Sequence, residues 1–74
     1  DLPVLNVGDG MSLPAALTAI GFTASNKEAK RKIAEGAVKL DDEALSDPGM
    51  VLTVAQGAQR RLSLGRKKHG IVTR

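Results

Sequence analysis

The chain has 74 residues, which is enough for one domain, and it contains no cysteine, which excludes disulfide bonds and thiolate metal sites. Phe22 is the only aromatic residue, so we expect a small core built from Leu, Val, Ile and Ala side chains. The net charge is +3, and no apolar run approaches the roughly 20 residues that a helix needs to cross a bilayer. The basic helix described below also lacks the broad apolar face that insertion into a membrane surface needs, so we expect no membrane partner.

The first part of the chain predicts a strand followed by a helix. Apolar residues between positions 2 and 7 favour a short extended segment before the turn at residues 8–10. Ser12 then offers a helix N-cap, with Pro14 tolerated in the first turn, and Gly21 is a stop signal. Between these signals, four apolar residues have the spacing of a one-sided helix: Leu13, Ala16, Leu17 and Ile20.

A second helix has stronger local signals. Ser25 and Glu28 have the spacing of a capping box, in which each side chain accepts a hydrogen bond from a backbone N–H group at the helix start. The helix is expected to run to about Glu35, with Gly36 as its stop. A rotation of about 100° per residue places Ala29 and Ile33 on a core-facing arc. The same rotation gathers three cations on another arc: Lys27, Lys30 and Arg31.

The rest of the chain favours short strands. Residues 38–45 alternate between apolar and polar side chains around a polar turn at residues 41–43, and residues 50–54 form a further extended piece. Residues 61–72 predict a hairpin whose turn is basic, with Arg66, Lys67 and Lys68. We therefore predict an α+β fold, in which two helices pack on a small, mostly antiparallel sheet that ends in a basic C-terminal hairpin.

The residues that could carry catalysis or bind metal are few. His69 is the only histidine and lies in a basic turn, so we expect a solvated or phosphate-facing residue rather than a general base. Consecutive carboxylates at residues 41–43 are expected to form a solvated turn, because such neighbours seldom converge on a cation. We therefore expect no catalysis, metal or cofactor in this chain by itself.

The charged residues are unevenly distributed. Residues 25–39 carry five basic and two acidic residues, residues 40–59 carry four acidic residues, and residues 60–74 carry six basic residues and no acidic ones. Two basic blocks separated by an acidic one predict a polyanion-binding face, with a solvated charged surface as the alternative. The chain has no further aromatic side chain besides Phe22 on which unpaired bases could stack. The basic residues therefore favour binding to folded RNA that is recognised by its shape and by the positions of its phosphates.

One continuous stretch has a distinctive pattern, which reads Leu17-x-x-Ile20-Gly21-Phe22-x-x-Ser25-x-x-Glu28-Ala29-Lys30-Arg31-x-Ile33-x-x-Gly36-x-Val38-x-Leu40. This pattern resembles the RNA-binding motif named after ribosomal protein S-four, also called the alpha-L motif. The lead-in Leu2-Pro3 and the tail, from Gly65-Arg66-Lys67-Lys68 through Ile71-Val72-x-Arg74, extend the resemblance to the whole chain. With them, the chain is similar to the C-terminal domain of bacterial tyrosyl-tRNA synthetases.

The resemblance implies that residues 1–74 are a single RNA-binding domain, cut from the end of a longer ligase. That ligase would be cytoplasmic, homodimeric through its catalytic domain, and dependent on ATP and Mg²⁺. This chain lacks the ATP-binding signatures and would be monomeric and inactive alone. Its partner would be tRNA-Tyr, held at the anticodon stem and the long variable arm. The matched RNA-facing residues are Ser25, Lys27, Lys30, Arg31, Lys67 and Lys68, and Arg66 joins them because of its charge.

Two positions depart from the family pattern. Asp41-Asp42 stands where relatives usually have Asn-Gly, and Asn26 stands where many have a basic residue. Both changes are expected to weaken RNA binding. Two other interpretations stay open: the same module in an rRNA-modifying or ribosome-associated protein, and a protein-interaction or tethering module whose charge meets an acidic partner.

Overall fold

The computed structural model describes residues 2–74, in which two helices and seven strands form an α+β domain. This confirms the predicted fold class. In chain order the elements are β1 (Val4–Asn6), β2 (Met11–Ser12), α1 (Leu13–Ala19), α2 (Asn26–Ala34), β3 (Val38–Leu40), β4 (Glu43–Leu45), β5 (Val51–Leu52), β6 (Gln59–Leu64) and β7 (Lys68–Thr73).

Five of the strands form the main sheet, in the order β1-β7-β6-β3-β4. The C-terminal hairpin of β6 and β7 is antiparallel, and it begins at Gln59 rather than at the predicted Arg61. Strand β1 pairs in parallel with β7, with Val4 opposite Ile71, so the sheet is antiparallel except at this edge. Lys68 lies in strand β7 and not in the turn, where the sequence placed it.

A second sheet of two strands, β2 and β5, was not predicted. Met11 lies opposite Leu52, and the Leu13 N–H group donates to the Met50 carbonyl oxygen at 2.9 Å. Ser12 occupies the N-cap position of α1 as predicted, but its side chain makes no capping hydrogen bond. Backbone pairing with the β5 segment therefore fixes the start of α1.

Both helices end at a glycine with a left-handed backbone, with φ of +91° at Gly21 and +75° at Gly36. At the end of α2, the Gly36 N–H group donates to the Ile33 carbonyl at 2.9 Å, and the Ala37 N–H group donates to the Lys32 carbonyl at 3.1 Å. These are the two bonds of a Schellman motif, and the end of α1 has the same pattern. Both predicted stop signals are confirmed.

The main sheet has two faces with different roles. Its inner face packs against both helices, and Phe22 is buried between these elements. Its outer face carries exposed side chains such as Lys39 and Arg61. The buried core contains Val7, Leu13, Ala16, Leu17, Phe22, Ala29, Ile33, Val38, Leu40, Leu52, Val54, Leu62, Leu64 and Val72.

Candidate nucleic-acid interface

The start of α2 forms a shallow groove of about 300 Å³, lined by Ser25, Lys27, Glu28 and Arg31. The Glu28 N–H group donates to the Ser25 hydroxyl oxygen at 3.2 Å, which confirms the predicted helix start. The reciprocal bond to the Glu28 carboxylate is not formed, so only half of the capping box is present. The structure thus brings three of the predicted RNA-facing residues together in one groove along α2.

The cations of α2 are accessible to a ligand. Lys27 and Arg31 are exposed and lie one turn apart on α2. Lys27 is in the first turn, where unpaired N–H groups give a partial positive charge, and Arg31 is in the last turn. Arg31 Nε lies 3.6 Å from Glu35 Oε1, with side chains 82% and 47% exposed. Such an exposed pair contributes little stability and leaves the guanidinium open to other partners. Lys30 is also exposed on α2 but does not line the groove.

The hairpin turn presents the second group of cations. Gly65 has a φ of +65°, and its N–H group donates to the Ala37 carbonyl at 2.9 Å, which ties the turn to the segment after α2. Arg66 and Lys67 are exposed at this turn. His69 lies half-buried in β7, with Nε2 at 2.9 Å from the Arg66 carbonyl oxygen, so the turn itself provides a partner for the imidazole.

Lys68 differs from its two neighbours because its ammonium has a partner within the protein. Nζ donates to the Phe22 carbonyl oxygen at 2.8 Å in a partly buried contact. Phe22 lies in the short connection between α1 and α2, just before Ser25. The bond therefore ties strand β7 to the segment that leads into α2, and it fixes the hairpin relative to the groove.

A second cleft, of about 420 Å³, lies between the last turn of α2 and the hairpin. It is lined by Lys32, Ala37, Leu64, Gly65, Arg66, Lys67 and Lys68. Lys32 was not among the predicted site residues, because its position beside the hairpin depends on a long-range packing contact. The local signal that could have found it is its place directly after Arg31 in a basic helix.

The acidic turn between β3 and β4 has a structural role. Asp41 and Asp42 have φ of 53° and 67°, which is the left-handed pair of a two-residue hairpin turn. The Asp41 carboxylate accepts hydrogen bonds from the Arg61 N–H group and from Arg60 Nε, both at 2.9 Å. The bond from the Arg61 N–H group and, to a smaller extent, the bond from Arg60 hold the pKa of Asp41 below its usual value. Asp41 thus forms an ion pair with Arg60. For this residue the prediction of a carboxylate that contacts only solvent is wrong.

Across residues 2–74, no group of three or more His, Cys, Asp or Glu side chains is placed to hold a metal ion. Within the same range, neither helix is long and apolar enough to cross a membrane.

Comparison with known proteins finds relatives that are tyrosine–tRNA ligases. No family model matches the chain. The tyrosine–tRNA ligase of Dinoroseobacter shibae is 42% identical over 100% of this chain and 19% of the ligase. That of Cereibacter sphaeroides is 41% identical over 97% of this chain, and that of Xanthomonas axonopodis pv. citri is 43% identical over 88%. The chain therefore corresponds to one segment, less than a fifth of the length, of these relatives.

Proposed function

We propose that this chain is the tRNA-binding appendage of a tyrosine–tRNA ligase, and that it holds the anticodon stem and long variable arm of tRNA-Tyr. The observation that carries the proposal is the gathering of accessible cations on α2 and on the hairpin turn, tied together by the Lys68 bond to Phe22. The similarity to tyrosine–tRNA ligases along the chain supports tRNA, rather than ribosomal RNA, as the partner.

Phosphate and shape recognition fits the side chains that are available. The single aromatic residue, Phe22, is only 5% exposed and cannot serve as a stacking platform for splayed bases. Lysine and arginine side chains on a rigid scaffold can instead follow the spacing of backbone phosphates. The start of α2 adds backbone N–H groups and a partial positive charge near Ser25.

The contacts that we propose follow from accessibility. Lys27, Lys30 and Arg31 meet one stretch of phosphates, and Arg66 and Lys67 meet another. Ser25 contributes its hydroxyl hydrogen, because its oxygen already accepts the Glu28 N–H bond. Lys68 acts chiefly by positioning the hairpin through its bond to the Phe22 carbonyl.

The same proposal assigns RNA binding and catalysis to different domains of the larger ligase. This chain supplies RNA contacts and no reacting groups. ATP, Mg²⁺ and the chemistry of aminoacylation belong to a separate catalytic domain, through which the cytoplasmic ligase dimerises.

The proposal is tested by titrating the chain with tRNA-Tyr and with a tRNA that lacks a long variable arm, over a series of salt concentrations. About four phosphate contacts give a log–log salt slope of roughly −3 to −4. We expect that slope together with tighter binding of tRNA-Tyr. Equal binding of both tRNAs would contradict tRNA-Tyr specificity, and no binding at low salt would favour a tethering module that meets an acidic protein.

A further inference from the structure

The cleft between α2 and the hairpin has a preformed apolar floor. Ala37 and Leu64 form this floor, and Leu64 is 7% exposed, so only its edge faces the cleft. The floor is tied to its surroundings by backbone bonds, from Gly65 N–H to the Ala37 carbonyl at 2.9 Å and from Ala37 N–H to the Lys32 carbonyl at 3.1 Å. A ligand would therefore meet a surface that is already in place.

Cations surround this floor. Lys32, Arg66 and Lys67 line the cleft, and among residues 2–74 none of them is within ion-pair distance of a carboxylate. Lys68 directs Nζ to the Phe22 carbonyl, so it offers the cleft mainly its methylene stem. Like charges gathered in this way repel one another, and a bound anion relieves that repulsion.

An apolar floor below three free cations suits a ligand with an anionic part and an apolar part. A nucleotide has both, because its phosphate can meet the cations while its base or ribose covers the floor. Arg66 can stack its planar guanidinium on a base, which an aromatic side chain would otherwise do. The volume of about 420 Å³ lies in the range of small-ligand pockets.

We propose that this cleft holds one unpaired nucleotide of the bound RNA, with Lys32 as a further phosphate contact. The nucleotide must be unpaired, since the bases of an A-form helix are stacked inside the duplex and only their edges are accessible. This inference rests on the proposed RNA-binding function, and it adds a site that distinguishes a bulged stem from a continuous one.

The test compares three short RNA hairpins of the same stem sequence: fully paired, with one bulged nucleotide, and with one bulged abasic nucleotide. Fluorescence anisotropy gives the Kd of the chain for each. We expect the complete bulge to bind roughly five- to tenfold more tightly than the other two, which is the lower part of the range for seating a base on a protein surface.

Two variants with equal charge loss show whether the cleft is responsible. Arg66→Ala should abolish most of this preference, because Arg66 stacks on the base, whereas Lys39→Ala, on the outer face of the sheet, should keep it. Thermal unfolding of both variants checks that the fold is retained. A preference that survives Arg66→Ala, or that is lost equally in Lys39→Ala, would overturn the assignment of the cleft.

The outcomes also separate this inference from the proposed function. If the chain binds all three hairpins equally, the proposed RNA binding stands and the nucleotide site is refuted. If the abasic bulge binds as tightly as the complete one, the cleft contacts only the phosphate backbone, which also refutes the site. If no hairpin and no tRNA binds, both proposals fail.

Discussion

Replacing Lys68 by methionine tests the bond that ties the hairpin to the α1–α2 connection. Methionine keeps much of the apolar stem but removes the ammonium that donates to the Phe22 carbonyl at 2.8 Å. Hydrogen bonds to charged groups contribute about 1.5–3 kcal/mol, and a partly buried carbonyl that water can reach should lie at or below the lower end, at about 1–1.5 kcal/mol. For a domain of this size, that loss lowers Tm by roughly 4–12 °C.

Thermal unfolding followed by far-UV circular dichroism measures this effect. The matched control is Lys67→Met, which changes the preceding residue, exposed at the turn, and should alter stability by less than about 0.5 kcal/mol. The salt dependence of RNA binding should show the opposite pattern. Lys67→Met should reduce the steepness of the slope by about one, whereas Lys68→Met should leave the slope nearly unchanged.

An unchanged Tm in Lys68→Met would refute the reasoning, because it would mean that the ammonium makes no stabilising bond in solution. A slope that is reduced in Lys68→Met and unchanged in Lys67→Met would refute the separate roles that we give to the two lysines.

Three further predictions concern the scaffold. Ser25→Ala should cost about 0.5–1 kcal/mol in urea unfolding, because a single capping bond is lost, and an unchanged midpoint would contradict the helix start. Because the pKa of Asp41 is lowered by folding, its ionised carboxylate stabilises the fold above the ordinary pKa of 3.8, and this contribution is lost as the pH falls through the lower pKa of the folded state. Asp41→Asn should therefore reduce the loss of stability at acidic pH, and an unchanged stability–pH profile would contradict the role of this carboxylate. Gly70→Ala should cost about 1–3 kcal/mol, because the new Cβ would lie 2.5 Å from Ile20 Cδ1. Ile20→Val should partly restore stability in the double variant, and a purely additive loss would exclude this clash as the cause.

The elements with local signals could be predicted from the sequence. Helix α2 begins at the Ser25 cap and stops before Gly36, because a side-chain hydroxyl and a residue free to adopt positive φ each act within one turn of chain. The strand that contains Val38 and Leu40 follows from alternation for the same reason.

The features that depend on distant partners could not be predicted. The pairing of β2 with β5, and the parallel pairing of β1 with β7, join segments that short-range patterns do not connect. The same limit applies to single side chains. Local patterns put Lys68 in the basic turn because its partner, Phe22, lies 46 positions away. They give no sign that Lys32 faces the hairpin, because that hairpin is also remote in sequence.

The predicted RNA-binding residues were partly brought together. Lys27 and Arg31 share a groove with Ser25, as the helical spacing indicates, while Lys30 lies outside this groove. Spacing alone gives the arc on which a side chain lies, but neighbouring elements decide which part of that arc forms a concave surface.

The most direct test of the central claim is NMR chemical-shift mapping of the ¹⁵N-labelled chain titrated with tRNA-Tyr. We predict that the amide signals of residues 25–32 and 65–68 shift or broaden first, since α2 and the hairpin turn would face the RNA. Signals from the outer face of the sheet, such as those of Lys39 and Ala44, should change little. The largest changes on the outer face, with α2 unaffected, would contradict the proposed interface.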